Sequence, residues 1–144
     1  MDLFNPKIKS GVTLLELVVI IIILGILASL GLPGYIRFTE RSLAQEAIAN
    51  LRLIASAERS YFVERNHYYP LNDTVSDIGL INSNLGLSLS ETNWVYSIIA
   101  SGSGSSATFT ATADRTSGPY SACIYTVDNN DPENPTPIIA GDCP

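Results

Sequence analysis

The stretch GVTLLELVVIIIILGILASLGLPGY, residues 11–35, decides how the rest of the chain is read. Between positions 12 and 32 only Thr13, Glu16 and Ser29 carry polar side chains. At about 1.5 Å per residue such a helix reaches roughly 30 Å, the thickness of a bilayer's hydrocarbon core. A plain anchor has no use for Glu16, since an acid at mid-membrane costs about 2.5–3.5 kcal/mol. An ionisable residue in so apolar a segment is a functional candidate, and its partner has to be identified. Ahead of the segment lies MDLFNPKIKSG, short and polar, with Lys7 and Lys9 against Asp2, the composition of a cytoplasmic flank. Ser10 and Gly11 form a small-residue junction suited to cleavage. A cut after Gly11 keeps the apolar segment and exposes a new amine on Val12, one helical turn from Glu16. In lipid or in a packed helical core, a carboxylate paired with that amine is far less costly than either charge alone.

At these residues the chain resembles the type IV pilins and their relatives, the pseudopilins of type II secretion. The resemblance rests on Gly11, then V-T-L-L-E, then an apolar run ending I-L-G-I-L-A-S-L-G-L-P-G-Y. It implies cleavage after Gly11 by a prepilin peptidase, N-methylation at Val12 (where the family commonly has phenylalanine), and assembly of a helical filament through Glu16 and this helix. The implied partners are identical or homologous pilin subunits, the prepilin peptidase, the pilus assembly machinery and the membrane. The implied location is the cytoplasmic membrane before assembly, single-pass with the leader in the cytoplasm, and an extracellular pilus filament afterwards.

Within the apolar run, Gly25, Ala28, Gly31 and Gly34 recur every three residues. They mark a helix flank where a second backbone can approach closely, the alternative being the general enrichment of glycine in membrane helices. Pro33 cannot donate to the carbonyl of Ser29, and each glycine weakens the helix, so residues 25–33 are expected to stretch or melt outside lipid. The resemblance implies the same. Beyond Pro33 the pattern becomes amphipathic. Leu43, Ala44, Ala47, Ile48, Leu51, Ile54, Ala55, Tyr61 and Phe62 fall at spacings of three and four, with arginines and polar residues between them. The helix is expected to end near Arg65, before Asn66-His67-Tyr68-Tyr69-Pro70.

Residues 66–93 read as a long connecting loop with short pieces of its own, and such loops are often functional. Strands are expected at 94–100, 107–113 and 121–127, the first two joined by the flexible hairpin loop SGSGSS. The tail DNNDPENPTP is turn-rich, and Ile138-Ile139 after it is a possible edge strand. A long helix followed by a run of strands predicts an α+β fold, pilin-like, with the helix packed on a small antiparallel sheet. The expected organisation is a leader at 1–11, a transmembrane and polymerisation helix at 12–33, its amphipathic half at 34–65, and a globular head at 66–144.

The chain of 144 residues carries a net charge of −6. Loss of a leader ending at Gly11 removes both lysines and Asp2, leaving it one unit more negative. After Asn66, Arg115 is the one cation among many acids, which argues against nucleic acid as a partner. Cys123 and Cys143 are the only cysteines. Outside the cytoplasm they are expected to form one disulfide, the alternative being two buried thiols.

His67 is the only histidine, and no serine or cysteine has a convincing base in its sequence context, so no catalytic residue and no cofactor is expected. Asp128, Asp131 and Glu133 offer closely spaced oxygens to calcium, but without the glycine and terminal glutamate of an EF-hand they read as a solvated turn. Asn72-Asp73-Thr74 matches a glycosylation sequon, a weak motif. The reading is a structural filament subunit and not an enzyme. Its alternatives are a type II secretion pseudopilin, a minor pilin, or, from a different class, a membrane-anchored extracytoplasmic binding or enzymatic domain.

Overall fold

The computed structural model describes residues 11–138, 141, 143 and 144, and of residues 30–33 the backbone alone. Residues 1–10 of the expected leader, Ile139, the surroundings of Gly31 and the side chain of Pro33 therefore lie outside the described residues. The chain divides into two compact units, one ending at Arg37 and the other Phe38–Pro144. Helix α1, Leu14–Arg65, contributes to both.

In the first unit α1 starts two residues later than the apolar run. The hydroxyl of Thr13 accepts the backbone N–H of Glu16 at 3.2 Å, so Thr13 caps the first turn and fixes the start at Leu14. The backbone is helical across residues 25–33, the section expected from the sequence to stretch or melt outside lipid. Flanking leucines and isoleucines carry the helix over the weak positions, and Ser29 turns its hydroxyl back to the Ile26 carbonyl at 2.8 Å. Every described apolar side chain of this unit's helix is exposed. This is the one described helix long and apolar enough, by length and composition, to cross a membrane.

The second unit is α+β. The rest of α1 is followed by β1 (Asp73–Val75), α2 (Ile78–Leu85), β2 (Trp94–Ser101), β3 (Thr108–Arg115), β4 (Ile124–Asp128) and β5 (Thr136–Pro137). The strands form one antiparallel sheet in the order β1-β2-β3-β4-β5. Ala44, Ala47, Leu51, Ile54 and Ala55 of α1 are buried with the inward residues of the strands, including Trp94, Tyr96, Ile98, Phe109, Tyr125 and Val127. On the central strand Ala113 stands between Tyr96 and Tyr125, and Ala111 between Ile98 and Val127. Small residues there leave room for the large side chains of both neighbours. The outward face is rich in hydroxyls, and pairs such as Ser97–Thr112 at 2.7 Å and Ser101–Thr108 at 3.0 Å bond across strands.

Several boundaries differ from expectation for local reasons. Asn66 adopts φ 60 and bonds its N–H to the Phe62 carbonyl at 2.7 Å, closing α1 after Arg65. The loop at 66–93 holds a strand and a helix. Asp77 caps α2 by accepting the Leu80 N–H, and Gly86 ends it at φ 66. Strand β3 runs two residues further than expected because Asp114 and Arg115 still pair with Val95 and Trp94 of β2. Cys123 lies just before β4, not within a strand. An edge strand forms at Thr136–Pro137, just ahead of the expected Ile138-Ile139, of which Ile139 lies outside the described residues.

The SGSGSS loop is tied back to the chain at both of its glycines. Gly104 donates to the Asn66 carbonyl and Gly102 to the Asn72 side chain, both at 2.8 Å. At Gly102 φ is 75, and a Cβ would meet the Ser106 carbonyl oxygen at 2.6 Å. Only glycine fits there.

Cys123 and Cys143 form a disulfide, with Cα atoms 4.8 Å apart across a sequence separation of 20. A loop of that size is stabilised by about 3 kcal/mol on closure. Replacing both cysteines with serine is expected to lower the unfolding free energy of the second unit by about that amount. Urea unfolding should show it, and an unchanged midpoint would contradict the assignment.

Candidate functional site

Glu16 lies in the first turn of α1, where a carboxylate faces the unpaired N–H groups and positive end of the helix. Thr13-Leu14-Leu15-Glu16 is also a capping-box spacing, a signal available in the sequence. Gly11 and Val12 precede the helix and are exposed, as is Glu16 itself. Gly25 and Gly34 have nothing within 4 Å of where a Cβ would stand, so that flank is open at both positions. Ala28 is exposed as well.

Two acids that the amphipathic reading leaves out are buried in the second unit. Glu40 and Glu58 continue the stripe of Ala44, Ala47, Leu51, Ile54 and Ala55 at spacings of three and four. Glu40 meets Arg115 through two bonds, Nε to Oε2 at 3.2 Å and Nη2 to Oε1 at 3.3 Å. Arg115 also donates to the Asn93 carbonyl at 2.8 Å and lies over the Trp94 ring at 5.6 Å. Glu58 is fully buried and accepts the Tyr69 N–H at 2.9 Å through Oε2. Its Oε1 has no hydrogen-bond partner among the described residues. Burial pushes the Glu58 carboxyl up from its ordinary 4.5 to about 7, against the lowering effect of the Tyr69 hydrogen bond.

A third group is exposed. Arg52, Ser56 and Arg59 share one face of α1 and line a cleft of about 450 Å³ with Pro132, Glu133 and Asn134. Arg52 Nε donates to the Glu133 carbonyl at 2.8 Å, and Arg59 faces the Glu133 carboxylate at 3.8 Å.

The structure does not gather the calcium candidates around one point. Asp128 accepts the N–H groups of Asn130 and Asp131, which lower its pKa, while Asp131 accepts the Asn134 side-chain amide and Glu133 faces Arg59. Among the described residues no three His, Cys, Asp or Glu are close enough together to hold a metal ion. His67 is engaged through Nδ1 with the Arg65 carbonyl at 2.9 Å.

The chain is similar to the type IV major pilin protein PilA of Myxococcus xanthus, 40% identical over 76 residues, which are 53% of this chain and 33% of that protein. It is 40% identical over 60 residues to the type II secretion system core protein G of Aeromonas hydrophila, 42% of each chain. It is 32% identical over 82 residues to a fimbrial protein of Pseudomonas aeruginosa, covering 55% of this chain and 53% of that one. The chain thus spans between a third and about half the length of these relatives. No family model and no solved structure matches the chain.

Proposed function

We propose, from the chain's place among the type IV pilins and pseudopilins, that it is a structural subunit of a type IV pilus-like extracellular filament. The observation that carries the reading is an apolar helical segment exposed at every described side chain, in a chain whose relatives are named pilins, a fimbrial protein and a secretion core protein. An apolar surface of that size has to be covered, by lipid in storage and by other copies of the helix after assembly. Transfer between those two settings gains little hydrophobic free energy, so specificity falls to packing and to polar pairs. In this reading a prepilin peptidase cuts after Gly11. The carboxylate of Glu16 pairs with the Val12 amine of a neighbouring subunit, and Gly25, Ala28, Gly31, Pro33 and Gly34 shape the helix contact. Similarity to core protein G supports a second reading, a pseudopilin of type II secretion.

The test compares Glu16→Gln and Glu16→Val with the wild type, measuring mature subunit in the membrane fraction and the yield of sheared filaments. Both variants should insert and be cleaved, with a mature terminus at Val12 by mass spectrometry, yet give filaments at a tenth of the wild-type level or less. Wild-type filament levels from both would remove Glu16 from assembly. A mature terminus beyond Leu32 would remove the filament reading altogether.

A further inference from the structure

We propose that the Arg52–Arg59 cleft receives the Asp73 and Asp77 carboxylates of a second copy of this chain. This rests on the filament reading above and specifies one contact within it.

The chain's charge is segregated. Every arginine except Arg115 lies on α1, and Arg115 is buried against Glu40. The residues beyond Arg65 therefore present acids to solvent with no exposed cation among those described. Arg52, Ser56 and Arg59 place two guanidinium groups and a hydroxyl on one helix face, opposite the β4–β5 loop. The bond from Arg52 Nε to the Glu133 carbonyl holds that guanidinium in place, and its two terminal nitrogens have no partner among the described residues. Among the described residues Arg59 meets only the Glu133 carboxylate, at 3.8 Å, with side-chain exposures of 52% and 83%. An exposed pair at that distance contributes little. Glu133 thus shows which chemistry the cleft accepts while holding it weakly. Carboxylates arriving in bidentate geometry displace it.

The acids that fit are at the opposite edge of the sheet. The cleft borders the loop leading into edge strand β5, whereas Asp73 belongs to edge strand β1 and Asp77 caps the helix that follows it. Both are exposed, and among the described residues each uses only Oδ1, toward Thr74 and Leu80 respectively. Asp128 ends β4 with its carboxylate tied to the turn that follows, Asp131 lies on the same loop as Glu133, Glu91 already accepts the Tyr96 N–H, and Asp114 is half-buried. Complementary patches on opposite edges make a head-to-tail contact, which leaves one cleft and one acid pair free on each growing array.

The test uses the full chain in cells, reading sheared filament yield against mature, disulfide-bonded subunit in the membrane. Arg52→Glu with Arg59→Glu should cut filaments at least tenfold and leave the membrane pool unchanged. Asp73→Lys with Asp77→Asn, the asparagine retaining the α2 cap, should do the same. A chain with all four changes should recover to within about threefold of the wild type. Glu133→Gln should leave yield undiminished, whereas a purely structural latch between Arg59 and Glu133 predicts a loss like that of the arginine changes. Full yield from the arginine variant, a defect confined to the arginine side, or no recovery in the four-change chain would each overturn the pairing while the filament reading stands. Absence of filaments from the wild type would sink the filament reading and this contact with it.

Discussion

Arg115→Ala is expected to destabilise the second unit by about 3–5 kcal/mol, the usual cost of removing one partner from a buried ion pair. The change strands Glu40, which is only 7% exposed, without its cation, and leaves the Asn93 carbonyl short of one donor. It also removes the cation from the face of Trp94. The cost belongs to the stranded charge rather than to the worth of the pair, and a second variant separates the two. Arg115→Met combined with Glu40→Met fills the same space with apolar groups, and such replacements are often neutral or stabilising. Urea unfolding followed by circular dichroism should therefore place Arg115→Ala far below the wild type and the double methionine variant close to it. Equal losses in both would mean that the charges, and not only their mutual neutralisation, hold the fold.

Glu58 is expected to make the second unit lose stability as pH rises from about 4.5 to 7. Its folded pKa of about 7 lies above the ordinary 4.5, so between those values the folded state binds the extra proton. Stability from this group is full below about 4.5, falls through the window, and levels off above 7. A shift of that size corresponds to about 3 kcal/mol at one pKa unit per 1.4 kcal/mol. Glu58→Gln keeps an acceptor for the Tyr69 N–H and removes the titration, though its amide N–H groups gain no assured partner. The difference between variant and wild type is the cleaner measure, because Asp114, raised by burial, and Asp128, lowered by the amides of its turn, cancel from it. That difference should move in favour of Glu58→Gln by about 3 kcal/mol between pH 4.5 and 8. Parallel stability curves would show that the carboxyl titrates as it does in water.

The long helix, its amphipathic half and two of the central strands are legible because one period dominates each stretch. Residues 94–100 and 107–113 are strand-like by composition and alternation, and β2 and β3 form there. The two buried acids escape that reading because a charged residue on an apolar stripe breaks the pattern it belongs to. Nothing local reveals that Glu40 has a cation 75 positions away to neutralise it. The spacing of Arg52, Ser56 and Arg59 is visible in the sequence, but the loop that turns it into a cleft arrives from residues 132–134. The short strand and helix between 73 and 85 are obscured because their apolar residues are few and their ends depend on caps at Asp77 and Gly86. Thr13 and Glu16 show the opposite case. Their capping spacing is plain in the sequence, yet the apolar run beside it draws the reading of Glu16 to a charge partner at Val12 and leaves the helix cap out.

The glycine-rich tip between β2 and β3 has a practical consequence. A polar, serine-rich hairpin end is where an epitope tag or a reporter peptide would ordinarily be inserted into a displayed protein. Here that tip supplies two amides to residues just past the end of α1, at Asn66 and Asn72. An insertion would cut the hairpin loose from the segment that closes the long helix, and Gly102 and Gly104 would lose the backbone settings their neighbours require. The tip fastens that end of the molecule, and a label placed there would report on an altered protein.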